Sequence, residues 1–420
     1  NTTVLRLGLC LASVPILGLF FLLRHLTTPI HPAAILAIIL FGIGLVPSNV
    51  SASLSAVFTA YERMEIPAFL TTLTTLLKVS LGTLALVLGK GYVGLATVSI
   101  GVNIVTMLLL YLLVCSILFR PRFELDLALQ KEMFLASYPL MINHLLATLF
   151  FKVAVLLLEW LTKDIRIVGW YSTAYKYIDA VGVIPASLTI AAFPLMARYA
   201  ATAKDSLLKA YQLVIKLLLI IAIPGAVVGS ALAYPLIGIL GGSQYLPYAA
   251  NILRVMIWYM PFGFINSVTQ YVLIALDQQR FLTRAFAIGL GFTIIANLVL
   301  ITRFGFMASA YVAVFSELVL LLPFYVGVRR HLARIPWLKL AWKQAASALP
   351  LAILVVLLPG RRLLFSLPLG LVLYVVGLGL LGVFDKEEKE AVVRALPLAR
   401  LKHRLANVWE RLVDSRPLDK

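Results

Sequence analysis

The chain has 420 residues, 62% of them hydrophobic and only 13% charged, with a mean hydropathy of +0.99. Soluble domains carry about 25% charged residues, so this composition excludes a water-soluble domain and a disordered chain and predicts a polytopic membrane protein. The net charge of +18 does not point to nucleic acid, because its basic residues are scattered between apolar runs rather than gathered on one module.

A spanning helix needs about 20 apolar residues. Twelve stretches meet that length: 4–23, 33–60, 67–88, 92–118, 133–161, 167–197, 206–233, 247–276, 280–302, 305–329, 342–359 and 363–384. The connections on one side hold thirteen Lys and Arg, among them Arg63, Arg120, Arg198, Arg280 and Arg329, against seven on the other. The positive-inside rule then puts the richer side, and with it both termini, in the cytoplasm. Cys10 and Cys115 lie in separate apolar runs, and no Cys or His cluster accompanies them, so neither a disulfide nor a metal centre is expected.

An internal repeat organises these spans. Ala60, Tyr61, Glu62 and Arg63 recur 215 residues later as Ala275, Leu276, Asp277 and Gln278, and GYVGLA at 91–96 recurs 214 residues later as GFMASA. An even number of spans separates the copies, which predicts parallel lobes with a substrate path between them. The expected organisation is a first lobe at 1–118, a cytoplasmic linker at 119–132, a second lobe at 133–329 and an appended helix pair at 330–384. A basic amphipathic tail, suited to an anionic membrane surface, is expected at 385–420. The two spans that open the second lobe have no counterpart before the first span. That asymmetry predicts a fourteen-helix fold whose first two helices precede Asn1.

Seven basic residues fall inside spans, where an ionisable side chain costs roughly 2.5 to 3.5 kcal/mol and marks a bundle interior or a watery path. Arg6 and Lys209 lie near helix ends, within snorkelling reach of the interface. Lys78, Lys152, Lys176, Lys216 and Arg254 remain, opposed within the spans only by Asp179 and Glu317, with Glu159 at an edge. A surplus of cations in a low-dielectric cavity favours an anionic guest.

At 100° per residue Ser137, His144, Thr148, Lys152 and Glu159 share one helix face, as do Ser172, Lys176, Asp179 and Ser187 on the next span. Structural ion pairs between Lys152 and Glu159 and between Lys176 and Asp179 are the plain alternative. Tyr171, Tyr175 and Trp170 have faces suited to sugars, although aromatic residues also belong to any interfacial belt. His144 has the chemistry of a proton carrier or of a helix-packing hydrogen bond. Gly89, Gly91 and Gly94 spell G-x-G-x-x-G between two spans with no preceding strand, which is a turn rather than a dinucleotide site. No Walker A, HExxH or GxSxG sequence is present, so neither a cofactor nor enzymatic catalysis is expected.

The hairpin LASYPLMINHLLATLFFKVAVLLLEWL with GWYSTAYKYIDAVGVIPASLTIAAFPLMARYA, and the later YVLIALDQQRFLTRAFAIGLGFTIIANLVLITRFGF, resemble bacterial polysaccharide flippases. These belong to the multidrug/oligosaccharidyl-lipid/polysaccharide exporter superfamily. The resemblance implies fourteen helices in two lobes plus a pair. It also implies alternating access through a cationic central cavity, carrying a polyprenyl-diphosphate-linked oligosaccharide across the bacterial cytoplasmic membrane, with H+ or Na+ as coupling ion. On it, Lys78, Lys152, Lys176, Lys216, Arg254, His144 and Tyr175 would contact substrate, Asp179 and Glu317 would couple cations, and a polysaccharide polymerase and glycosyltransferases would be pathway partners. Many relatives carry an acid two residues after the basic position of the hairpin; here Ala154 follows Lys152 and Val153, which weakens any coupling role assigned there. A multidrug/cation antiporter, a non-transporting membrane scaffold and an integral glycosyltransferase are the alternatives.

Overall fold

The computed structural model describes residues 1–27, 32–120, 126–358, 360–384 and 388. Every regular element among them is helical, as a lipid-embedded backbone requires when no water is present to satisfy its polar groups. The chain divides into two compact units, Asn1–Ser137 and Tyr138–Lys420.

The first unit holds α1 (Thr2–Thr27), α2 (Pro32–Ala60), α3 (Glu65–Val87), α4 (Gly91–Ile117) and the start of α5 (Leu127–Thr162). Its buried core is small, with Leu54, Phe58, Leu70, Leu110 and Val114 packed together. The second unit continues α5 and adds α6 (Ile165–Thr202), α7 (Lys204–Ala231), α8 (Ala233–Leu240), α9 (Tyr248–Met256) and α10 (Met260–Ala275). It closes with α11 (Gln279–Phe304), α12 (Met307–His331), α13 (Trp337–Leu357) and α14 (Leu363–Leu380). Its core is continuous from Phe150 on α5 to Ile335 beyond α12.

Nine of these helices are long and apolar enough to cross a membrane, among the described residues. One of the twelve expected spans differs within its length. The run at 247–276 is not one helix: α9 ends in a 3-10 turn at Ile257–Tyr259, and Pro261 sits in the first turn of α10, where its missing N–H costs nothing. At the two ends of the chain, α1 with 26 residues and α14 with 18 stand where the spans 4–23 and 363–384 were expected. Within the stretch expected as a linker, 119–132, α5 already begins at Leu127. Asp126 Oδ1 accepts hydrogen bonds from Ala128 N at 2.9 Å and Leu129 N at 3.1 Å, an N-cap that starts α5 at Leu127. The tail expected at 385–420 lies outside the described residues except for Glu388.

The repeat is written in the backbone. Glu62 and Asp277 both adopt φ +57°, and the bonds around them match: Glu62 N to Thr59 O and Arg63 N to Phe58 O in one copy, Asp277 N to Ile274 O and Gln278 N to Leu273 O in the other. These are left-handed C-terminal caps. Gly91 and Gly305, in the second matching pair, also have positive φ, at +55° and +73°, which glycine adopts without steric cost.

Candidate functional site

A cavity of about 500 Å³ opens within the second unit, walled by α5, α6, α10, α11 and α12 and by Tyr259 of the 3-10 turn. Five of the nine expected site residues line it: His144, Lys152, Tyr175, Asp179 and Glu317. Lys176 and Arg254 are exposed on α6 and α9 away from this lining. Lys78 is half-buried on α3 of the first unit.

The α5 face is the expected one, with His144, Thr148 and Lys152 pointing into the cavity. On α6 the face differs. Tyr171, Tyr175, Ile178, Gly182 and Pro185 line the cavity at three- and four-residue steps, with Asp179 beside them, while the expected partner Lys176 does not.

Lys152 Nζ lies 3.2 and 3.3 Å from the two Asp179 oxygens and 4.2 Å from the centroid of the Tyr175 ring. An ammonium between a carboxylate and an aromatic face gains from both charge pairing and the ring quadrupole. The ion pair formed is one between helices, Lys152 with Asp179, rather than either of the intrahelical pairs offered as the plain alternative. Both side chains are about half open to the cavity, at 50% and 45% exposed.

Glu317 is different in kind, being only 3% exposed. Asn266 Nδ2 donates to its carboxylate at 2.7 Å and to its backbone oxygen at 2.8 Å, joining α10 to α12. Asn266 Oδ1 is buried without a donor. A file of hydroxyls and amides continues along α11 and α12: Thr293 Oγ1 donates to Ser316 Oγ at 2.9 Å, and Ser309 Oγ to Asn297 Oδ1 at 2.7 Å. Sequence spacing did not single these residues out. The signal was present, since Asn and Ser inside apolar spans need partners as much as charges do.

Lys216 belongs to another setting. Its Nζ lies 2.7 and 2.8 Å from the Glu388 oxygens, and the pair is mostly buried. Tyr374 OH donates to Ile220 O at 2.9 Å close by, so Lys216 ties the chain beyond α14 to α7. Among the described residues, the lining of this cavity carries one lysine, one histidine and two carboxylates. Trp170, read as a sugar platform, stacks on Tyr248 at 4.1 Å and packs against Phe306, within a cluster of aromatic side chains from three segments.

With this geometry in view, the likenesses to known proteins are informative. The family described as polysaccharide biosynthesis protein matches residues 2–200, and the MatE family matches residues 139–299. A lipid II flippase, MurJ in an inward closed conformation, superposes with a TM-score of 0.70 at 13% identity, covering 90% of this chain and 82% of its own. The Vibrio cholerae MATE transporter VcmN superposes with a TM-score of 0.58 at 16% identity, covering 78% of this chain and 76% of its own. No curated protein matches the sequence. The two family matches overlap across α5 and α6, and the chain shares its fold with a flippase and a MATE transporter.

Proposed function

We propose that this transporter flips polyprenyl-diphosphate-linked oligosaccharides across the bacterial cytoplasmic membrane, by alternating access between two lobes, for cell-surface polysaccharide synthesis. Both termini would be cytoplasmic, and the flippase would hand substrate from glycosyltransferases to a polymerase. The match of residues 2–200 to the polysaccharide biosynthesis family supports this substrate class. The observation that carries the reading is Lys152, a half-exposed ammonium on the wall of an open cavity in a fold shared with a lipid II flippase. Lys78, Lys176 and Arg254 would add attraction for the diphosphate along the path. Lys216 joins them only when it is released from Glu388.

A test uses the full protein in liposomes carrying a fluorescent lipid-linked oligosaccharide. Lys152→Gln removes a charge-assisted contact worth roughly 1.5 to 3 kcal/mol, so flipping should slow about tenfold or more. A wild-type protein that moves no such lipid under any ion gradient would refute the reading.

One observation favours a second reading. The MatE match covers residues 139–299, and two carboxylates, Asp179 and Glu317, share the cavity, a pairing suited to a cationic drug exchanged for H+ or Na+. Efflux of a fluorescent organic cation that depends on Glu317, without lipid flipping, would decide for it.

A further inference from the structure

The Lys152–Asp179 pair joins α5 to α6 across an open cavity. Water competes for both partners, so a pair this exposed adds little to stability. A diphosphate offers more charge and more acceptor oxygens than one carboxylate, and ammonium–phosphate hydrogen bonds are among the strong ones. The lysine is therefore positioned to change partner at small cost.

Asp179 would then be left without its cation. The groups facing the cavity around it are His144 and Lys152 from α5, Tyr171 and Tyr175 from α6, Tyr259 from the 3-10 turn and Glu317 from α12, with neutral Thr293 and Asn297 from α11. A hard metal ion wants a shell of six or more oxygens. Asp179 instead has the Lys152 ammonium position beside it, in a lining shared with three tyrosines. Glu317 adds a second carboxylate to the same chamber.

We propose that Lys152 is an exchange lysine: when the diphosphate end of a lipid-linked substrate arrives, the ammonium moves from Asp179 to the phosphate oxygens, and Asp179 takes a proton from solvent. Lys152 keeps its own proton throughout; the one bond formed is an O–H on Asp179, and substrate entry is linked to proton entry. The exchange also cuts a polar link between α5 and α6, while Asn143 still holds α5 to α11 through Thr283 Oγ1 at 2.6 Å and Gln279 O at 3.2 Å. This inference rests on the flippase reading.

Titration calorimetry of the full chain in nanodiscs with undecaprenyl diphosphate, run in buffers of different ionisation enthalpy, counts the protons taken up on binding. Wild type should bind with uptake approaching one proton. Asp179→Asn frees Lys152 in advance, so binding should tighten about two- to fivefold and uptake should vanish. Lys152→Gln should bind about tenfold more weakly with no uptake, and Lys152→Arg should keep both. A fixed structural pair predicts unchanged or weaker binding in Asp179→Asn; that result, persistent proton uptake in this variant, or wild-type binding with no uptake overturns the exchange and leaves the flippase reading standing. Failure of the wild type to bind the lipid overturns both.

Discussion

Helices α2 to α4 of the first unit and α10 to α12 of the second are one design used twice, and they differ inside. Along α4 and α12 the offset of 214 aligns Ala96 with Ala310, Leu110 with Phe324 and Val114 with Val328, and all six are buried. It also aligns Val102 with Ser316 and Asn103 with Glu317, while the offset of 215 aligns Ser51 of α2 with Asn266 of α10. Where the second unit has a buried acid held by an amide, the first has an amide and a hydroxyl that bond to nearby backbone: Asn103 Nδ2 to Gly44 O at 3.1 Å and Ser51 Oγ to Pro47 O at 2.8 Å. The scaffold positions are common to both copies. At this position only the second unit has an ionisable group.

The widest predicted gap between the copies lies in their cores. Phe324 is fully buried, edge-on to Phe286 at 5.8 Å, and Phe286 meets Phe150 at 6.2 Å, so three helices share one aromatic stack. Leu110 packs in a cluster of five buried residues. Truncation of a buried Phe to Ala costs about 3 to 5 kcal/mol in soluble proteins, and how far a site can collapse sets the value. Lipid is as apolar as the core, so the packing part of that cost is the part retained here. Phe324→Ala should lower the midpoint of thermal unfolding in detergent well below that of Leu110→Ala. Equal shifts would show that the first unit is packed as tightly as the second.

The acid pair gives the next largest contrast. Glu317→Leu takes away the side-chain acceptor of the buried Asn266 amide and leaves it only the backbone oxygen of residue 317, at a cost of roughly 1 to 3 kcal/mol, whereas Asn103→Leu loses one ordinary hydrogen bond, roughly 0.5 to 1.5 kcal/mol. Glu317→Gln keeps an acceptor for Asn266 and should regain the stability without regaining ion-dependent transport. Unfolding midpoints for the three variants, with flux measured under H+ and Na+ gradients, check both halves. A Glu317→Gln protein that transports at full rate under the same gradient would remove the acid from the mechanism.

Much of this was legible in the sequence, and the failures share a cause. Apolar length placed α2, α3, α4, α6, α7, α11 and α12 within a few residues, and the span junctions at Glu62 and Asp277 were visible as corresponding positions 215 residues apart, although their αL conformation was not. The break between α9 and α10 was not, because in a run where nearly every residue is apolar the periodicity carries no phase, and only Pro261 hinted at it. Spacing gathered His144 and Lys152 onto one face, yet it cannot see past its own helix. The partner of Lys152 is 27 residues away on α6, and the partner of Glu317 is 51 residues away on α10. Charges drew attention while Asn266, Thr293, Asn297 and Ser316 did not, although burial in an apolar bundle obliges all of them to find partners.

The smallest effect is the most direct check that the two copies share a backbone. Glu62 and Asp277 hold φ +57° at the ends of α2 and α10, a conformation that costs an L-residue roughly 1 to 2 kcal/mol and that Asp tolerates better than Glu, because its short side chain bonds locally. Glycine removes the clash and gives back some of the gain by loosening the unfolded chain. Glu62→Gly should therefore raise stability by about 0.5 to 1 kcal/mol, and Asp277→Gly by less, read as small upward shifts in unfolding midpoint. A loss of stability at both sites would mean that the carboxylates do something at these turns that the backbone alone does not require. Gain at one and loss at the other would show that the two turns, alike in geometry, have been put to different uses.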